Sequence, residues 1–166
     1  MKRIAVLSCV FVLLAGASAQ AQEDRQPPRA VFKQEGVRQV GRLGTYCWSW
    51  MGETGEGGGK CVDYFRYVWP RVKPAAKGEP SRITLRYPDM PEEGSLTYWR
   101  RVDEDRQPVG EGTEVTYTAT SREGQPGTVW DLAFDAPDYR GHFYLYGFFA
   151  WSGKGDASYH WHLTLN

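Results

Sequence analysis

From residue 37 onward, apolar side chains recur at nearly every second position, in short runs that glycine and proline repeatedly cut off. A chain patterned this way offers no helical stripe to bury. It can only make short strands that fold back on one another. Residues 82–87 (RITLRY) alternate strictly and stop at Pro88, and residues 96–102 (LTYWRRV) follow a PEEGS turn. Residues 113–120 (TEVTYTAT) are rich in β-branched side chains, with Val115 and Tyr117 on one face, and residues 128–134 send Trp130, Leu132 and Phe134 to the same side. Earlier, Val37, Val40 and Leu43 mark an irregular first strand that leads into Gly44-Thr45-Tyr46-Cys47-Trp48. Residues 142–151 and 158–165 flank a six-residue turn, and residues 51–60 (MGETGEGGGK) have nothing to pack and read as a flexible loop. Residues 62–69 (VDYFRYVW) fit either a short helix or a strand, ended by Pro70 and Pro74. The expected fold is all-β, an antiparallel sandwich.

The N-terminus sets the expected compartment. Lys2 and Arg3 precede an apolar run over residues 4–14, and Ala17-Ser18-Ala19 and Ala19-Gln20-Ala21 supply the small residues that a signal peptidase requires. The run is too short to span a bilayer, which takes roughly 20 residues. Residues 1–21 are therefore expected to be a cleaved signal peptide that takes Cys9 with it. Residues 22–29 (QEDRQPPR) read as a linker, and residues 30–166 as one domain, periplasmic or secreted. No second apolar stretch is long enough for membrane insertion. Removing the signal leaves 18 basic against 20 acidic side chains, a balance with no evident footprint for nucleic acid or an anionic membrane. The two remaining cysteines, Cys47 and Cys61, are expected to pair in an oxidising compartment.

Residues 136–143 (APDYRGHF) resemble the corner that enters a late strand in immunoglobulin-like domains, with Phe143 standing where a tyrosine corner needs a hydroxyl. The Gly44–Trp48 element, Cys61-Val62-Asp63 and the closing Gly155-Asp156-Ala157-Ser158-Tyr159 together resemble uncharacterised bacterial exported proteins and lipoproteins of this size. The resemblance implies an immunoglobulin-like β-sandwich and no particular activity.

Motifs for chemistry are sparse. A phosphate-binding loop counted back from Gly59-Lys60 has Thr54 at its first glycine position and Cys61 after the lysine, so both ends fail. The histidines are His142, His160 and His162, and no Gly-x-Ser-x-Gly elbow accompanies them. Asp103-Glu104-Asp105 and Glu92-Glu93 lie in turn-like stretches and read as solvated charge. No catalytic residue, metal or cofactor is assigned. His160 and His162 share one strand face and form the best metal candidate, although two imidazoles alone make a weak site. A hairpin centred near Gly155 would set Phe148 opposite His162 and Ala150 opposite His160, with His142 far from both.

In that hairpin Phe143, Leu145, Phe149 and Trp151 share the core face with Tyr159, Trp161, Leu163 and Leu165. Tyr144, Tyr146 and Phe148 fall on the other face beside His160 and His162. An aromatic stripe outside a sheet is either covered by other chain or offered to a partner. Trp48, Trp50, Tyr64 and Phe65, pinned by the disulfide, are candidates to cover it. These residues lead to a non-catalytic extracytoplasmic binding or interaction module for an unidentified glycan or envelope protein. A small hydrolase using loop carboxylates and a metal-binding envelope protein using His160 and His162 are the alternatives.

Overall fold

The computed structural model describes residues 25–52, 55–64, 66–124 and 127–166. The expected signal peptide and Phe65 lie outside the described residues. The described chain is all-β, without a helix. One sheet has the order β2-β1-β6-β10-β9, from Val37–Val40, Ala30–Gln34, Pro80–Arg86, Thr128–Asp135 and Thr118–Glu123. The other runs β4-β3-β12-β11-β7-β8, from Gly57–Val62, Arg42–Met51, Gly155–Leu165, Gly141–Trp151, Glu93–Trp99 and Thr113–Glu114. All these neighbours are antiparallel, and β5 (Lys73–Ala75) adds a short parallel pairing to the end of β12.

The two sheets bury their facing sides against each other. Phe32, Ile83, Leu85 and Leu132 come from the first, and Trp48, Leu145, Phe149 and Trp161 from the second; all are at most 1% exposed. Each such side chain contributes roughly 1.5–3 kcal/mol when withdrawn from water. Alternation explains the selection, since Trp130, Leu132 and Phe134 do turn to the core side, with Trp130 only half-buried. Cys47 and Cys61 sit directly opposite each other on β3 and β4 and are joined by a disulfide, with Cα atoms 4.0 Å apart.

Several elements differ from the sequence reading. Ala30–Gln34 is a strand that the pattern did not reveal, between β2 and β6. Gly57–Val62 is no loop: the glycine run pairs residue by residue with β3, because a backbone ladder needs no side chains to form. Residues 113–120 divide into two strands at 115–117. Residues 63 and 64 and 66–72 are neither helix nor strand. Within the expected linker, Pro27 and Pro28 are buried and the Tyr159 hydroxyl donates to the Pro28 carbonyl, so the chain is fixed before residue 30.

The final hairpin is tighter than expected. Its strands are joined by residues 152–154, and opposed pairs centre on Gly153 rather than Gly155. The register therefore slides by four, setting Tyr144 against His162 and Tyr146 against His160. Gly153 and Gly155 have φ of 69° and 126°, which lets the chain reverse sharply. At Gly155 a Cβ would lie 1.9 Å from the Cys47 carbonyl oxygen, so nothing larger fits beside β3. A slide by an even number exchanges partners without exchanging faces, and the core assignment survives.

Candidate functional site

The outer aromatic face of β11 and β12 is covered, by residues that the sequence reading did not select. Residues 63, 64 and 66–72 form an irregular strap that lays Tyr67 and Trp69 on the stripe. The Tyr67 ring stacks on Trp69 at 5.4 Å and meets Trp99, Tyr146 and His160 edge-on at 5.7, 5.6 and 5.3 Å. Trp69 meets Tyr144 and His160, each at 5.2 Å. Such ring pairs add roughly 0.5–1.5 kcal/mol beyond the area they bury.

Polar bonds tie the strap at three points. At its start, Thr45 Oγ1 accepts from the Tyr64 N–H at 3.2 Å and donates to Asp63 at 3.3 Å. In the middle, the Trp69 indole N–H donates to the Arg106 carbonyl at 2.8 Å, while the Arg106 guanidinium donates to the Trp69 carbonyl at 3.0 Å. Arg106 holds φ at 64°, uncommon for a residue with a side chain, in a turn closed by Asp103. At the strap's far end the buried Gln39 amide donates to the Arg71 and His162 carbonyls and accepts the His162 N–H.

Where the strap leaves β4, an open cleft of ≈ 180 Å³ remains beside it. Tyr64, Tyr67 and Tyr146 line it with rings, Thr45 and Ser158 with hydroxyls, and Arg66 and His160 complete the wall. The β12–β3 pairing slips by one residue between Ala157 and Tyr159, and this bulge locally re-aims the strands around Ser158. The Ser158 hydroxyl donates to the Thr45 carbonyl at 3.0 Å. Gly44 makes the arrangement possible, since a Cβ there would lie 2.4 Å from His160 Cε1 and 2.6 Å from Ser158 Oγ.

His160 is 4% exposed and its Nδ1 is buried without a hydrogen-bond partner. Burial holds its pKa down at about 4, with a backbone interaction at Arg42 opposing the shift. The ring is therefore neutral near pH 7. His162, half-buried, is also lowered to about 4, first by burial and then by His142. Contrary to the expected register, His142 lies beside His162, its Nδ1 3.1 Å from His162 Nε2. Among the described residues no group of three potential metal ligands assembles. Among the described residues no carboxylate lines the cleft.

The remaining expected site residues are distributed over both sides of the second sheet. Tyr144 is buried and stacks on His162 at 4.2 Å, while Tyr146 and Phe148 are half-buried. Trp48 does not reach the stripe. It is 1% exposed in the core against Tyr87 and Trp151, because it alternates with Cys47 and Ser49 onto the inner side of β3. Trp50 lies over Gly58, and Tyr64 is half exposed at the cleft rim. Tyr67 and Trp69 carried a readable signal, two large rings at i and i+2 just before Pro70. Arg106 carried none, being one of several charges in a polar turn.

Fold and site together define a disulfide-bonded β-sandwich whose outer aromatic face is strapped down beside a small hydroxyl-lined cleft. Neither protein-family models nor curated proteins match this chain.

Proposed function

We propose that the protein is a non-catalytic, extracytoplasmic binding module of immunoglobulin-like type, and that the cleft beside the strap recognises a sugar unit of an envelope glycan. The observation that carries this reading is the lining: tyrosine rings beside two hydroxyls and the Arg66 guanidinium. Aromatic rings stack on the apolar faces of sugars while hydroxyls and a cation meet their polar edges. At ≈ 180 Å³ the cleft is small, suited to one ring rather than to a protein interface, which buries at least about 1,200 Å² in total. No helix among the described residues is long and apolar enough to cross a membrane, and the disulfide fits an oxidising compartment.

Trp69 and Trp99 both touch Tyr67 and make the site self-reporting. Titration with peptidoglycan fragments and a panel of envelope polysaccharides should change tryptophan fluorescence saturably for one of them. Tyr67→Ala should abolish the change. Silence across the whole panel removes the glycan reading.

A further inference from the structure

The near-neutral balance of the chain conceals a segregation of charge by face. On the outer side of the five-stranded sheet, Arg38 on β2 lies directly opposite Lys33 on β1, and Lys33 lies directly opposite Arg82 on β6. At the end of β6, Arg86 faces Val129 on β10, and Val129 faces Arg122 on β9. Strand alternation puts all five basic residues on one face with only two acidic ones, Asp131 and Asp135. Asp131 is already engaged, accepting from Thr84 at 2.6 Å and from Arg122 at 3.0 Å, with Arg82 Nε at 3.9 Å.

Like charges directly opposite across a strand pair are destabilising, and here three cations stand in a row at about 5 Å strand spacing. The crowding is felt at Lys33, whose pKa is lowered first by burial and then by Arg82, Arg122 and Arg38, against the pull of Asp131. Folding does not require such a row; a polyanion laid across it would relieve the repulsion.

We propose that this face is a second binding surface, separate from the cleft, for an anionic polysaccharide. The cations lie on four of the five strands, from β2 at one edge to β9 at the other, farther than one small anion reaches. The large hydrophobic residues exposed among the described ones (Met51, Tyr64, Val72, Met90 and Val109) all lie off these strands, so the face has no apolar anchor for a bilayer. Of its apolar members, Val31 and Val129 are buried and Val40 is half-buried, while the small Ala133 is exposed. The aromatic residues of these strands, Phe32, Trp130 and Phe134, turn to the core side, so no ring is presented for stacking on bases.

The test uses the full chain with dextran sulfate as probe. Binding is expected to weaken by roughly tens-fold between about 50 and 200 mM salt, as release of counterions from several contacts requires. Uncharged dextran should not bind. The triple variant Arg38→Gln, Lys33→Gln, Arg82→Gln should lose at least tenfold in affinity while its unfolding temperature stays level or rises. The triple variant Lys60→Gln, Lys73→Gln, Arg101→Gln removes equal charge elsewhere and should bind normally. No binding of dextran sulfate at low salt overturns the proposal, as do equal losses in the two triple variants. Tighter binding of duplex DNA, or of vesicles with equal parts phosphatidylglycerol and phosphatidylcholine, replaces the proposed occupant and overturns it too.

Discussion

Gly44 and His160 show how much a single contact can demand. The imidazole occupies the space where any other residue at position 44 would place its Cβ. Gly44→Ala should therefore cost roughly 1–3 kcal/mol, the usual penalty for overpacking, read as a lower midpoint in urea unfolding with an unchanged slope. His160 also makes stability depend on pH. Its folded pKa of about 4 lies below the ordinary value of 6.5, so as pH falls through 6.5 the unfolded chain takes up a proton that the folded chain refuses. The contribution is whole above pH 6.5 and is lost progressively toward pH 4, amounting to about 2 kcal/mol at pH 5. A stability profile that does not fall between pH 6.5 and 4, or that falls equally in His160→Gln, contradicts this assignment.

At the scale of elements, the strap is irregular yet tied at three points. Residues 63, 64 and 66–72 make no strand ladder before β5 begins, and hold their place through Thr45, Arg106 and Gln39. Arg106 sets two effects against each other, since its guanidinium latches Trp69 while its positive φ strains the backbone. Arg106→Ala loses the latch and keeps the strain, whereas Arg106→Gly loses the latch and relieves the strain. The alanine variant should be the less stable of the two by roughly 1 kcal/mol, the left-handed penalty of a Cβ less glycine's greater freedom when unfolded, and both should expose the strap to faster hydrogen exchange than the rest of the second sheet. The disulfide anchors the hairpin from which the strap departs. Replacing Cys47 and Cys61 by alanine should lower stability by up to about 3 kcal/mol, less if β3 and β4 stay paired in its absence. Chemical denaturation of the double variant measures this directly.

Over the whole molecule, the two outer faces of the sandwich have been resolved in opposite ways. Behind the second sheet, an apolar stripe that water would penalise is covered by the chain's own strap. Behind the first, a crowded basic face is left to solvent. The aliphatic parts of long cationic side chains can shelter small apolar neighbours, which accords with the burial of Val31 and Val129 there. Composition averages both faces away. A net charge near zero counted over the chain offers no electrostatic footprint, whereas charge acts over a Debye length of about 8–10 Å, so a local row such as Arg38, Lys33 and Arg82 leaves no mark on the total.

What the residues determined alone were the local quantities. Alternation every second position made Arg82 to Arg86 and Thr128 to Phe134 recognisable as strands, and two cysteines remaining after an expected signal peptide made their pairing expected. Period-two geometry also separated Phe143 and Leu145 from Tyr144 and Tyr146, a separation that outlasted the error in register. Only the folded structure decided what lies across from what. Gly57–Gly59 became a strand because β3 was there to pair with it. Trp48 went to the core and Tyr67 to the stripe, and Arg38 met Lys33 and Arg82, through contacts between segments far apart in the chain. Pleat and turn chemistry are properties of a few neighbouring residues, whereas cover, cleft and charge clustering arise from sheet order, which no short window of sequence contains.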